Sequence, residues 1–215
     1  MAKRRKVSNL LALAVLALAA ERPTHPYEMA SLLRERGKHL SIKINWGSLY
    51  TVVGNLEKHG LIEATETVRE GRRPERTVYT ITDTGREELR DWLRELLGTP
   101  EKEYRRFEAA LSLVAGIPPD EVAELLAQRL RALDTQISET AQKLEQWGKE
   151  IPRLFLVEAE YDLALLRAEA DWVRGLLEEI QSGSMPGLAG WRAFHETGQL
   201  PAEIIELMGR EGQPD

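Results

Sequence analysis

The feature that most constrains this chain is a change of period between Pro26 and Ile81. Up to Lys58 the apolar residues recur at steps of three and four; beyond Leu61 they alternate. The segment HPYEMASLLRERG reads as a short helix. Pro26 suits a first helical position, where its missing N–H costs nothing, and Gly37 suits the stop. Tyr27, Met29, Ala30 and Leu33 supply its apolar contacts. In INWGSLYTVVGNLEKHGLI, Leu49, Val52, Val53 and Leu56 share one helical face, and Lys58-His59-Gly60 ends the helix. Ile62, Ala64, Thr65, Thr67 and Val68 are strand-like, as is Arg76 to Ile81. Between them lies a turn-rich tip holding Gly71, Arg72, Arg73 and Pro74. Thr82 or Asp83 caps a further helix carrying Leu89, Trp92, Leu93, Leu96 and Leu97.

Ahead of this pattern stands Leu10 to Ala20, preceded by the basic run Lys3 to Lys6. A basic start, an apolar run and the small residues Ala17-Leu18-Ala19 are also the parts of a secretory signal. The run is far short of the ~20 residues that span a bilayer. We expect a buried first helix capped by Ser8, since the elements that follow would lose their packing partner without it.

Helix, helix, helix and then a basic-tipped hairpin is the order of a winged helix-turn-helix. The chain is expected to be mostly α, with that domain over residues 1–100. A helix fits the major groove of B-DNA, where each base pair presents its own donor and acceptor pattern. The recognition helix, residues 45–59, should therefore expose hydrogen-bonding side chains. Lys43, Asn45, Ser48, Thr51, Asn55 and Lys58 fit that description. Arg72, Arg73 and Arg76 on the wing are placed to reach phosphates or the minor groove, and the Lys3–Lys6 arm to do likewise.

The charge distribution agrees. The whole chain carries a net −6, which argues against coating nucleic acid by charge alone. Yet residues 1–100 hold 17 Lys and Arg against 13 Asp and Glu, while the remainder hold 12 against 22. A basic reader is averaged with an acidic second half.

That second half reads as a dimerisation domain over residues 101–182, with a tail over 183–215 that forms short helices. Asp120 caps a long helix whose seam runs Leu126, Leu130, Leu133, Ile137, Leu144 and Trp147, with steps alternating between four and three and Thr140 filling one slot. Gly148 to Pro152 breaks it. A second helix follows, its apolar face assigned to Leu154, Val157, Tyr161, Ala164, Leu165, Ala168, Trp172 and Leu176. Two such helices pack on each other within one chain or on those of a second copy. Trp191 and Phe194 cap the pair.

Other functions find no support. Cysteine is absent, which removes thiol ligands and disulfides and fits a reducing cytoplasm. The four histidines at 25, 39, 59 and 195 have no metal-ligand spacing, and neither a phosphate loop nor a hydrolase motif is present. No catalytic residue, metal or cofactor is expected, and no membrane association. A protein–protein adaptor built on the same fold is the alternative, but it needs no Asn, Ser, Thr and Lys on the recognition face.

The three quoted stretches, closing with EGRRPERTVYTITDTGREEL, resemble the PadR family of bacterial transcriptional regulators over about residues 8–97. The most diagnostic pieces are Ser48-Leu49-Tyr50, the helix exit Leu56…His59-Gly60-Leu61-Ile62, and Tyr79-Thr80-Ile81-Thr82…Gly85. The resemblance implies a regulator, with repression the expected outcome, that binds double-stranded DNA as a homodimer. It implies that the Tyr50 hydroxyl contacts the phosphate backbone. Thr51 stands where family members often carry Pro. Relatives with a long C-terminal helical domain favour the dimer. Aromatic residues near such interfaces can line a small-molecule effector site, which makes Trp46 and Trp92 its candidates here.

Overall fold

A computed structural model of the chain describes residue 5, residues 7–68 and residues 76–199. Its contacts divide the chain into two compact units, Met1–Lys102 and Glu103–Asp215.

The front unit is organised around α1 (Leu10–Glu21), in which Leu11, Val15 and Leu16 are fully buried and Leu18 and Ala19 nearly so. A helix that is apolar on every side belongs in the middle of a core, and α2 (Pro26–Glu35), α3 (Leu49–Lys58) and α4 (Asp83–Gly98) cover it. Its cap is Asn9, not Ser8: the Asn9 Oδ1 accepts the Leu11 N–H at 2.9 Å. The expected stops and starts of α2 and α4 are present. Pro26 opens α2, and Gly37 follows it at φ +65°. The Thr82 hydroxyl accepts the Gly85 N–H at 3.0 Å and donates to the Gly60 carbonyl at 2.7 Å. One side chain thereby caps α4 and ties it to the exit of α3.

β1 (Ile62–Val68) and β2 (Arg76–Ile81) pair antiparallel, with Ile62 opposite Ile81 and Val68 opposite Arg76. The register slips between Ala64 and Glu66, a bulge that increases the local twist. Thr24 adds a third rung: its N–H and C=O exchange hydrogen bonds with Tyr79, each at 3.0 Å. The base of the hairpin is thus sewn to the segment that enters α2. On α4 Gly85 and Trp92 are buried and Leu89 is half-buried, whereas Leu93, Leu96 and Leu97 are exposed. The apolar stripe expected of that helix is wider than the face its unit covers.

Arg5 has a structural role in this unit. Its guanidinium pairs with Glu88 and Glu95 on α4 and lies 5.2 Å from the centre of the Trp92 ring. Burial alone would lower its pKa, but the hydrogen bonds to the two carboxylates outweigh that and raise it. This arginine is therefore not available to a nucleic acid. Lys3, Arg4 and Lys6 lie outside the described residues.

The back unit comprises α5 (Arg106–Leu111), α6 (Pro119–Trp147), α7 (Val157–Ser182) and α8 (Leu188–Thr197). Pro119 holds the first helical position of α6, which puts Asp120 inside the first turn and not at the cap. Asp120 pairs instead with Arg192 of α8 at 2.9 Å. Helices α6 and α7 form an antiparallel hairpin within the chain. Val122, Leu126 and Leu133 are buried against Ala170, Val173, Leu177 and Ile180, and Arg129 reaches across to Glu169 at 2.5 Å. Trp191 closes one end, buried, with its indole N–H donating to the Ile117 carbonyl at 2.9 Å. Phe194 is half-buried, its ring 5.1 Å from that of His195.

Most of the apolar face assigned to α7 from sequence does not pack on α6. Leu154, Val157, Tyr161 and Trp172 are exposed, and Leu163, Ala170, Val173, Leu177 and Ile180 are buried. The helix carries apolar residues on two nearly opposite faces, and periodicity cannot say which one meets α6.

Candidate nucleic-acid interface

The recognition segment begins as a single 3-10 turn, Trp46–Ser48, before α3 proper. The turn is held by its own side chains. Asn45 Oδ1 accepts the Gly47 N–H at 3.1 Å, and the Ser48 hydroxyl donates to the Asn45 carbonyl at 2.7 Å. Arg34, near the end of α2, lies over the Trp46 ring at 4.1 Å from its centre, a cation–π contact that braces the turn. Ser48 is half-buried and Asn45 exposed, so Ser48 shapes the approach while the Asn45 amide N–H groups stay outward.

α3 is cleanly two-sided. Leu49, Val52, Val53 and Leu56 are buried, and Tyr50, Thr51, Gly54, Asn55, Glu57 and Lys58 are exposed. Tyr50 is 66% exposed despite its large ring, its hydroxyl free to meet a partner in solvent. Lys43, just ahead of the turn, is exposed as well. Six of the seven residues expected on this face therefore project outward together, with Ser48 the exception. Gly54 was not singled out by pattern reasoning, although it sits in the middle of this face. A glycine inside a helix is about 1 kcal/mol less favourable than alanine, which was the available signal.

At the wing, Arg72 and Arg73 lie outside the described residues. Arg76 does not extend freely: its guanidinium lies 5.5 Å from the centre of the Tyr27 ring and its Nη1 is 3.4 Å from His25 Nε2. His25 is also the cap of α2, its Nδ1 accepting the Glu28 N–H at 3.1 Å. Three residues beyond Arg76 on the same strand, Tyr79 donates its hydroxyl to Glu57 at 3.4 Å. Burial first, and then the Glu57 charge and hydrogen bond, push that phenol above its ordinary pKa. The two aromatic effector candidates are both engaged: Trp92 is buried beside Arg5, and Trp46 is stacked under Arg34. Among the described residues no group of acidic or histidine side chains is arranged to hold a metal ion.

This geometry matches a known family. Residues 15–91 match the model of the Transcriptional regulator PadR-like family. Over these residues the chain is similar to the PadR-like transcriptional regulators. PadR-like proteins are regulators and not enzymes. The Negative transcriptional regulator PadR of Bacillus subtilis (strain 168) is 26% identical over 132 residues, covering 61% of this chain and 71% of that protein. The crystal structure of Bacillus subtilis PadR in complex with operator DNA superposes with a TM-score of 0.67 at 21% identity, covering 80% of this chain and 99% of that one. The complex of the same protein with p-coumaric acid gives 0.67 at 19% over the same shares. The virulence activator AphA of Vibrio cholerae gives 0.62 at 16%, covering 80% of this chain and 98% of that one. At these identities the superpositions speak to the fold, which is the mostly α, winged-helix fold of PadR structures with long C-terminal helices. Among the described residues no helix is long and apolar enough to cross a membrane.

Proposed function

We propose that this PadR-like regulator works in the cytoplasm as a homodimer that binds a palindromic operator in double-stranded DNA and represses the adjacent promoter. The carrying observation is the solvent face of α3, on which Tyr50, Thr51, Asn55 and Lys58 stand together while the opposite face is buried. In this reading Thr51, Asn55 and Lys58 meet base edges, with Lys43 and Asn45 at the margin. Ser48 acts through the turn it closes. The Tyr50 hydroxyl and the wing arginines Arg72, Arg73 and Arg76 meet phosphates. PadR of B. subtilis, a negative transcriptional regulator whose structure with operator DNA superposes on this chain, supports this assignment.

The dimer rests on the outer face of α7. Tyr161 and Trp172 are 65% and 51% exposed, and Val157, Ala164 and Ala168 lie on the same stripe. Gly175 continues it, and among the described residues nothing outside its own helix lies within 4 Å of where a Cβ would be. Small residues between aromatics let a second helix approach closely. Leu126 and Leu133 support the dimer indirectly by building the hairpin that presents this stripe, and Leu130, Ile137, Leu144 and Trp147 extend the seam. Two recognition helices about a twofold axis then meet half-sites ~34 Å apart. A small-molecule effector belongs to the same reading, supported by the p-coumaric acid complex of B. subtilis PadR.

The test is selection of bound duplexes from a random pool by the full chain, followed by affinity measurement at two ionic strengths. An inverted repeat with half-sites one helical turn apart, bound more weakly at higher salt, is the expected result. Recovery of no sequence, together with no salt-dependent binding, would leave the adaptor as the better account.

A further inference from the structure

Gly54 is the sixth of the ten residues of α3 and is exposed. Glycine is, after proline, the least favourable residue in a helix interior, and three intramolecular reasons commonly justify one there. None applies. The backbone of Gly54 is not in the left-handed region, which among the described residues is occupied by Gly37, Gly60, Gly183, Gly187 and Gly198. Among the described residues, nothing beyond its chain neighbours and its own helix backbone lies within 4 Å of an added Cβ. It does not end the helix, because α3 continues to Lys58 and the turn is made at Gly60.

Its neighbours along the outer face, at three and four residues either way, are Tyr50, Thr51, Glu57 and Lys58, and all are exposed. The recognition face therefore has a bare patch of backbone at its centre, rimmed by a tyrosine, a threonine, a glutamate and a lysine. A helix of 10–12 Å overall diameter barely enters a major groove ≈ 12 Å wide. Every side chain on the leading edge sets how deep it can go.

We propose that Gly54 is a contact-depth determinant: it lets the backbone of α3 lie directly against base edges at the centre of each half-site. A side chain at this position would lift the helix and lengthen the base contacts of Thr51 and Asn55 on either side. This rests on the reading of α3 as the DNA-binding helix. It adds that affinity is limited at one position by the absence of a side chain.

The test measures stability and affinity together on the full chain carrying Gly54→Ala or Gly54→Gln. The probe is the duplex recovered by wild type from the random pool. Alanine should raise the melting temperature by a few degrees while weakening binding by roughly tenfold, and glutamine should weaken it further. The slope of affinity against salt should be unchanged, since no phosphate contact is removed. A role confined to the fold moves both quantities the same way and cannot yield opposite signs. Unchanged or improved affinity in Gly54→Ala would overturn the inference, and so would a lower melting temperature, which would reveal an intramolecular reason for the glycine. Failure of wild type itself to recover any duplex would instead overturn the DNA-binding reading.

Discussion

A Cβ placed on Gly85 would stand 1.9 Å from the carbonyl oxygen of Leu61. The start of α4 and the exit of α3 are thus packed backbone to backbone, with the Thr82 hydroxyl hydrogen-bonded to both. Because the obstructing atom is main chain, a side chain cannot be accommodated by a rotamer change. Gly85→Ala is expected to destabilise the protein by about 2–4 kcal/mol. Urea unfolding followed by circular dichroism measures this, and a loss under about 0.5 kcal/mol would show that the contact yields easily.

The Arg5 clasp makes a second prediction. The Arg5 side chain is 6% exposed, its Nε is buried without a hydrogen-bond partner, and Glu88 and Glu95 retain 16% and 26% exposure. Removing the cation leaves two carboxylates facing each other across Trp92. Arg5→Ala should cost about 1–3 kcal/mol, less than for a fully buried pair because water reaches the carboxylates. A cycle with Glu95→Gln should return a coupling of about 0.5–3 kcal/mol; strict additivity would mean that the pair is only a surface contact.

On the hairpin, the two faces of α7 should separate experimentally. Leu133→Ala empties a buried position facing α7 and should lower the stability of the back unit by about 2–5 kcal/mol. Trp172→Glu changes an exposed position, so the fold should persist while sedimentation shifts from dimer to monomer. A Trp172→Glu protein that remains dimeric would move the interface elsewhere.

The Glu21–Arg36 pair joins the ends of α1 and α2 through two hydrogen bonds of 2.6 and 2.8 Å. The Arg36 hydrogen bonds hold the Glu21 carboxyl below the usual range against the opposing effect of burial, with the charges of Arg36 and Arg22 adding to them. A carboxyl depressed in the folded state contributes stability above its unfolded pKa and loses it as pH falls through the folded value. Both side chains are more than two-fifths exposed, so the pair is worth at most about 1 kcal/mol. The melting difference between wild type and Glu21→Gln should be present near pH 7, vanish as pH falls through the lowered folded-state pKa of Glu21, and shrink with salt. A difference that persists in acid would assign the stabilisation to packing.

Much of this was legible in the residues themselves. Pro26, Gly37, Thr82 and the step from three-and-four spacing to alternation mark their elements through local backbone chemistry, which needs no knowledge of the neighbours. The two-sided pattern of α3 was readable for the same reason: four apolar positions on one face leave the polar face by subtraction. Where two local answers were equally good, sequence chose wrongly. Ser8 and Asn9 are both good caps, and in the structure Asn9 takes the position, its Oδ1 accepting the Leu11 N–H.

What the sequence alone determined is therefore the order and kind of the elements, and with them the winged helix. Tertiary structure decided how the apolar and charged surplus is spent. Helix α7 has apolar residues enough for two faces, and contact with α6 assigns Leu163, Ala170, Val173, Leu177 and Ile180 inward, leaving Tyr161 and Trp172 outside. Arg5, one of a run of basic residues, becomes a structural cation because Glu88, Glu95 and Trp92 come together on one side of α4. Periodicity records that a face is apolar, but not which partner covers it, because burial is a property of pairs of surfaces and each segment carries only one of them.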